Sequence, residues 1–147
     1  MVGLILVMAG PAFAEDLVVI VHADRDVRLT LPEVAQIYLK KRRFWEGGKR
    51  IVPVNRDSGS AAREGFTRRV FGEDAAQLVV YWNRQYFRGV LPPATLASDE
   101  AVRRFVAREP LAIGYISARL ADASVKVVLR LEDAVAAPAS ATPGRSR

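Results

Sequence analysis

A chain of 147 residues, half of them hydrophobic and 26% charged, is long enough and apolar enough to fold as one domain with a real core, which excludes a disordered polyelectrolyte. It contains no cysteine, so a disulfide framework, a zinc–thiolate site and a thiol nucleophile are excluded as well. The net charge of +6 is concentrated: ten basic residues between Tyr38 and Val70 face only Glu46, Asp57 and Glu64, and the rest of the chain sums to −1. A field of that kind concentrates anions, while a solvated basic face that merely aids solubility would show the same pattern.

In chain order, the first element is a short apolar run from Val2 to Met8. Gly10-Pro11 breaks it, and Ala12-Phe13-Ala14 supplies an A-x-A cleavage signature before the polar Glu15-Asp16. This order predicts a secretory signal over 1–14 and export to the periplasm, although no Lys or Arg precedes the run. The run is too short to span a bilayer, and a buried N-terminal strand is the alternative. Leu17 to Val21 is continuously aliphatic, the pattern of a strand covered on both faces of a parallel sheet. Thr30-Leu31-Pro32-Glu33 matches a capping box and predicts a helix with Leu31, Val34, Ala35 and Tyr38 inward.

Trp45-Glu46-Gly47-Gly48-Lys49 reads as a turn and Ile51 to Val54 as the next strand. A helix follows over about 61–71, with Ala62, Phe66 and Val70 on one face. Ala75, Leu78, Val79, Trp82 and Tyr86 carry the strongest helical period and are expected in the core. A brief strand near Thr95 to Ala97 precedes a helix opened by Ser98-Asp99, which carries Val102, Phe105 and Val106 and stops at Pro110. Ala112 to Ile116 and Val125 to Leu131 supply two more strands. The Ala-, Ser- and Pro-rich stretch 133–147 reads as a disordered tail, which leaves 15–132 as the folded domain. Alternating strands and helices imply an α/β fold with a parallel or mixed sheet covered on both faces.

In such folds ligands bind where strands end and helices begin. Val54-Asn55-Arg56-Asp57-Ser58-Gly59-Ser60-Ala61-Ala62-Arg63 has that form. The first turn of a helix leaves its N–H groups without intrahelical partners, and its dipole favours an anion. Gly59 would let the backbone approach a ligand, Ser58 and Ser60 add hydroxyls, and Arg56 and Arg63 offer charge-assisted hydrogen bonds. Plain helix capping by Ser60, with both arginines facing water, accounts for the same residues.

The ordered set of segments resembles the phosphate-binding proteins of ABC transporters and their small periplasmic-binding-like relatives. The stretches that carry the resemblance are Leu29 to Tyr38, Phe44 to Gly48, Ile51 to Arg56, Ser58-Gly59-Ser60 with Arg63 to Phe66, and Ser98 to Val102 leading into Ala112 to Ile116. They extend over most of the chain from Leu17 to Ser117. The resemblance implies a mixed sheet flanked by helices, of the type 2 periplasmic-binding-protein kind, amounting to about one lobe. It also implies a phosphate or similar oxyanion held between lobes by a Ser-Gly-Thr turn and an upstream arginine. Ser60 stands in place of the Thr. The arginine's usual position, four residues before Ser58, holds Val54, so Arg56 serves that role only in a differently shaped turn.

Other chemistry has little support. His22 is the single histidine, too few for a triad or a metal cluster, and Asp24 and Asp26 flank Arg25 in what reads as a solvated turn. Trp45 and Phe44 beside Lys40 to Arg43 interleave bases and aromatics as single-strand nucleic-acid binders do, but an export signal argues against that partner. The expectation is therefore a non-enzymatic, cofactor-free oxyanion-binding domain that serves an ABC permease or a sensing system. The alternative is a domain that keeps the fold without the ligand and docks to an envelope protein.

Overall fold

The computed structural model describes residues 15–72 and 75–132; the predicted leader and tail lie outside the described residues. The elements run β1 (Leu17–His22), α1 (Leu31–Tyr38), β2 (Val52–Arg56), α2 (Ala61–Phe71), α3 (Ala75–Tyr86), β3 (Ala94–Leu96), α4 (Asp99–Arg108), β4 (Ala112–Ser117) and β5 (Val125–Leu131). The strands form one sheet in the order β3-β2-β4-β1-β5. β2 pairs parallel with β3 and β4, whereas β1 pairs antiparallel with both β4 and β5. The sheet is therefore mixed, and β1 alone runs against the other strands.

Alternation along β1 builds two core layers. Leu17, Val19 and Val21 pack with Val34, Ile37, Phe66 and Val70 of α1 and α2, while Val18 and Ile20 face Val102 and Val106 of α4. Helices thus cover both faces, which is why β1 is aliphatic at every position. The expectation of a parallel partner for β1 is corrected here. A strand buried on both faces has the same composition whichever way its neighbours run.

α1 begins as its capping box predicts: the Glu33 N–H donates to Thr30 Oγ1 and the Thr30 N–H to Glu33 Oε2 at 2.8 Å. Leu31, expected inward, is 39% exposed; Ile37 takes the inner position with Val34 and Tyr38. The turn at 45–49 is closed by the Trp45 N–H on the Lys49 carbonyl and uses positive φ at Gly47 and Gly48. Trp45 is a core residue and no nucleic-acid platform. It is 3% exposed, donates Nε1 to the Leu111 carbonyl at 3.0 Å, and lies under the Arg25 guanidinium. His22 ends β1, and its Nδ1 accepts from the Asp24 N–H.

The inward expectation for α3 also needs correction. Leu78 is buried, but Val79, Val80 and Tyr86 are exposed, as is Phe87 just beyond the helix. Leu78 is the position of α3 that reaches the buried interior among its described side chains.

Candidate functional site

β2 was expected to stop at Val54 and instead continues through Arg56. The β2–β4 ladder pairs Val52 with Ala112 and Pro53 with Ile113 and then opens. Two buried phenols fill the opening. Tyr38 Oη donates across it, 3.0 Å from the Val54 carbonyl and 3.3 Å from that of Ile113. Tyr115 Oη donates to Asn55 Oδ1 and accepts from the Arg56 N–H. Phe66 of α2 stacks on Tyr115 with centroids 3.8 Å apart, so the aromatic layer sets the height of α2 above β2. Burial pushes the Tyr115 phenol up to about 12 and raises Tyr38 well above the ordinary phenol range, which keeps both as neutral donors.

The carboxyl ends of β2, β3 and β4 meet at one place. Arg56 Nη1 is paired there with Asp99 Oδ1, the first residue of α4, and both side chains are 12% exposed. Arg56 Nη2 reaches Asp57 Oδ1 at 3.3 Å and the Ala97 carbonyl at 3.4 Å. Asp99 Oδ2 accepts from the Ser117 N–H at 2.9 Å. This network ties three strand ends to the start of α4. Asp99, Tyr115, Asn55 and Ser117 were missed from the sequence. Asp99 read only as a helix-opening residue, and nothing along the chain links it to Arg56, 43 positions earlier.

The predicted turn lies directly above. Ser60 is the N-cap of α2: its Oγ accepts from the Arg63 N–H at 3.1 Å and donates to the Asp57 carbonyl at 2.9 Å. Capping of this kind is worth about 1 kcal/mol. Among the described residues, nothing accepts from the Ser58, Gly59, Ala61 or Ala62 N–H groups. Gly59 has no left-handed φ, and a Cβ added to it would meet no atom within 4 Å. Neither backbone conformation nor packing within the chain calls for glycine there. Arg63 Nη1 donates to the Arg56 carbonyl at 2.8 Å, so its guanidinium lies along the turn. Arg56, Ser58, Gly59, Ser60 and Arg63 are therefore neighbours, in two roles. Asp99 and Asp57 balance Arg56, which shapes the loop from below, while Arg63 has no carboxylate partner among the described residues.

From Ser58 and Arg63 a cleft of about 670 Å³ extends between α2 and α3, with Thr67, Leu78, Val79 and Trp82 along its walls. No group of three or more His, Asp or Glu side chains suited to a metal ion occurs among the described residues. No helix there is long and apolar enough to cross a membrane.

Among solved structures, the chain is similar to a Clostridium perfringens protein described as a phosphate ABC transporter substrate-binding protein with bound phosphate. That match has 28% identity and a TM-score of 0.61, and it covers 78% of this chain and 44% of the other. An ABC-type phosphate transport receptor from Vibrio cholerae matches at 22% identity and a TM-score of 0.61, over 78% of this chain and 45% of that one. PstS from Borrelia burgdorferi matches at 16% identity and a TM-score of 0.56, over 71% and 41%. The last two likenesses show the fold alone. The chain spans less than half the length of these proteins, and the fold it shares with them is about one lobe. No protein-family model and no curated protein matches the chain.

Proposed function

We propose that this chain is an exported, non-enzymatic solute-binding domain that holds phosphate or a similar oxyanion at the start of α2, for an ABC permease or a sensing system. The observation that carries the reading is the turn at Ser58-Gly59-Ser60. It combines unpartnered N–H groups, two hydroxyls and an uncompensated Arg63 with a glycine for which the chain itself has no steric use. An anion seated there would accept from the Gly59, Ala61 and Ala62 amides and the Ser58 hydroxyl, with Arg63 supplying charge and Arg56 fixing the loop. The likeness to a phosphate-bound transporter component supports the choice of anion.

A single lobe offers one wall, and water and salt compete at an open site. The expected affinity is modest, with Kd on the order of 0.1–1 mM, equivalent to roughly 4–5.5 kcal/mol. Gly59→Val tests the reading. Because the position is open, the variant should fold within about 0.5 kcal/mol of the parent. Its added methyl groups would crowd the anion, and phosphate binding measured by calorimetric titration should weaken at least tenfold. Saturable heat that is unchanged in Gly59→Val would remove the site. Absence of heat from the parent at millimolar phosphate would favour the fold-retaining interaction domain instead.

A further inference from the structure

The α2 turn leaves most of the basic segment unused, and four of the remaining cations line a different cavity. Between the end of α1, the start of β2 and the 89–92 loop lies a pocket of about 260 Å³, lined by Lys40, Arg42, Arg43 and Arg50. Its apolar wall includes Ile51, Leu91 and Pro92. We propose that this pocket is a second anion site, which takes the dianion of a phosphate monoester with its phosphate on the cations and its carbon body on the apolar wall.

Charge supplies the first argument. Arg42 is paired with Glu33 at 3.1 Å, but Lys40, Arg43 and Arg50 have no carboxylate partner among the described residues. Three uncompensated cations around one concavity repel each other, and a dianion relieves that repulsion. Burial, then Arg50 and Arg43, lower the Lys40 ammonium below its ordinary range, so the crowding is felt at this side chain.

Backbone conformation supplies the second. Lys40 follows the C-cap Leu39 and has φ +59°, and among the described residues it is the only non-glycine in the left-handed region. Helices that end this way use glycine at that position, because a Cβ is disfavoured there. A half-buried lysine in that conformation works against local stability at a position that lines the pocket. The cavity has room for more than a bare tetrahedral oxyanion, and Leu91, 61% exposed, offers apolar surface to a carbon substituent.

The test is an amide-resolved NMR titration of the full chain with glycerol 3-phosphate, repeated with vesicles of phosphatidylcholine alone and with added phosphatidic acid. Saturating shifts at residues 40–43, 50 and 89–91 are expected, distinct from any at 58–63. Lys40→Gly relieves the left-handed strain and should fold at least as stably as the parent, yet bind at least tenfold more weakly. Arg50→Ser should weaken binding similarly. A response to phosphatidic acid vesicles only, lost in Lys40→Gly, would support the site and assign the monoester to a lipid headgroup. Shifts confined to 58–63 would overturn this site and leave the α2 reading intact. Unchanged affinity in Lys40→Gly would overturn it also.

Discussion

At the scale of single residues, the Arg56–Asp99 pair decides whether the strand ends hold their shape. Both side chains are 12% exposed, Asp99 also accepts from Ser117, and Arg56 Nε is buried without a partner. Removing one partner of such a pair leaves the other charge buried and uncompensated, which is worse than removing both. Asp99→Ala should lower stability by about 3 kcal/mol in urea unfolding, and the double variant Arg56→Met, Asp99→Leu should recover much of that loss. A loss below about 0.5 kcal/mol would mean that water reaches the guanidinium and the network is dispensable. The buried phenols make a pH prediction. The Tyr115 pKa rises from 10.0 to about 12 on folding, so its contribution is complete below pH 10 and fades as pH climbs through 12. Two units correspond to roughly 3 kcal/mol, and Tyr38 shifts in the same direction. Urea midpoints should thus fall steeply between pH 10 and 12 and stay flat from about 8 to 10. A flat profile through pH 11.5 would contradict the burial of both phenols.

At the scale of elements, what could be read from the sequence depended on how local the cause was. The Thr30–Glu33 capping box, the glycine turn at 47–48 and the Ser60 and Ser98 caps act within a few residues, and each stands where it was expected. The five turn residues sit together on the β2–α2 connection because they are close in sequence. The division of labour between Arg56 and Arg63 is not legible along the chain, because it depends on Asp99 from another helix. The direction of β1 and the exposure of α3 were misread for a related reason. Hydrophobic period shows which side chains share a face, and says nothing of what lies opposite or which way it runs. The close approach of α4 to β4 was equally unreadable, though Gly114 is what permits it. A Cβ on Gly114 would sit 2.5 Å from Val102 Cγ1 and close to Val106 and Val54. Val102 and Val106 are fully buried and β-branched, so they have few alternative rotamers. Gly114→Ala should therefore destabilise by about 2 kcal/mol, and Val102→Ala in the same chain should partly restore the midpoint. Wild-type stability in Gly114→Ala would show that α4 can shift outward freely.

For the molecule as a whole, the sheet and its two helical layers form one tightly packed body, with α3 as its loosest attachment. β1 is an interior strand, nearly inaccessible from Leu17 to Val21 and paired on both edges, so its amides open only when the domain unfolds. α3 exposes Val79, Val80 and Tyr86, buries Leu78, and donates the Tyr81 hydroxyl to the Leu39 carbonyl at 2.7 Å. That hydroxyl ties α3 to the residue just before Lys40, and α3 itself forms one wall of the cleft beside Arg63. The helix therefore borders one candidate anion site and is anchored next to the other. Native-state hydrogen exchange should find α3 amides exchanging at least a hundredfold faster than those of β1, a gap of about 3 kcal/mol or more in opening free energy. Glycerol 3-phosphate should slow exchange in α3 and the 89–92 loop while leaving β1 unchanged, because ligand binding can protect only segments that open without global unfolding. Equal protection of α3 and β1 in the free protein would make α3 part of the same cooperative unit, and its exposed apolar face would then be a rigid surface.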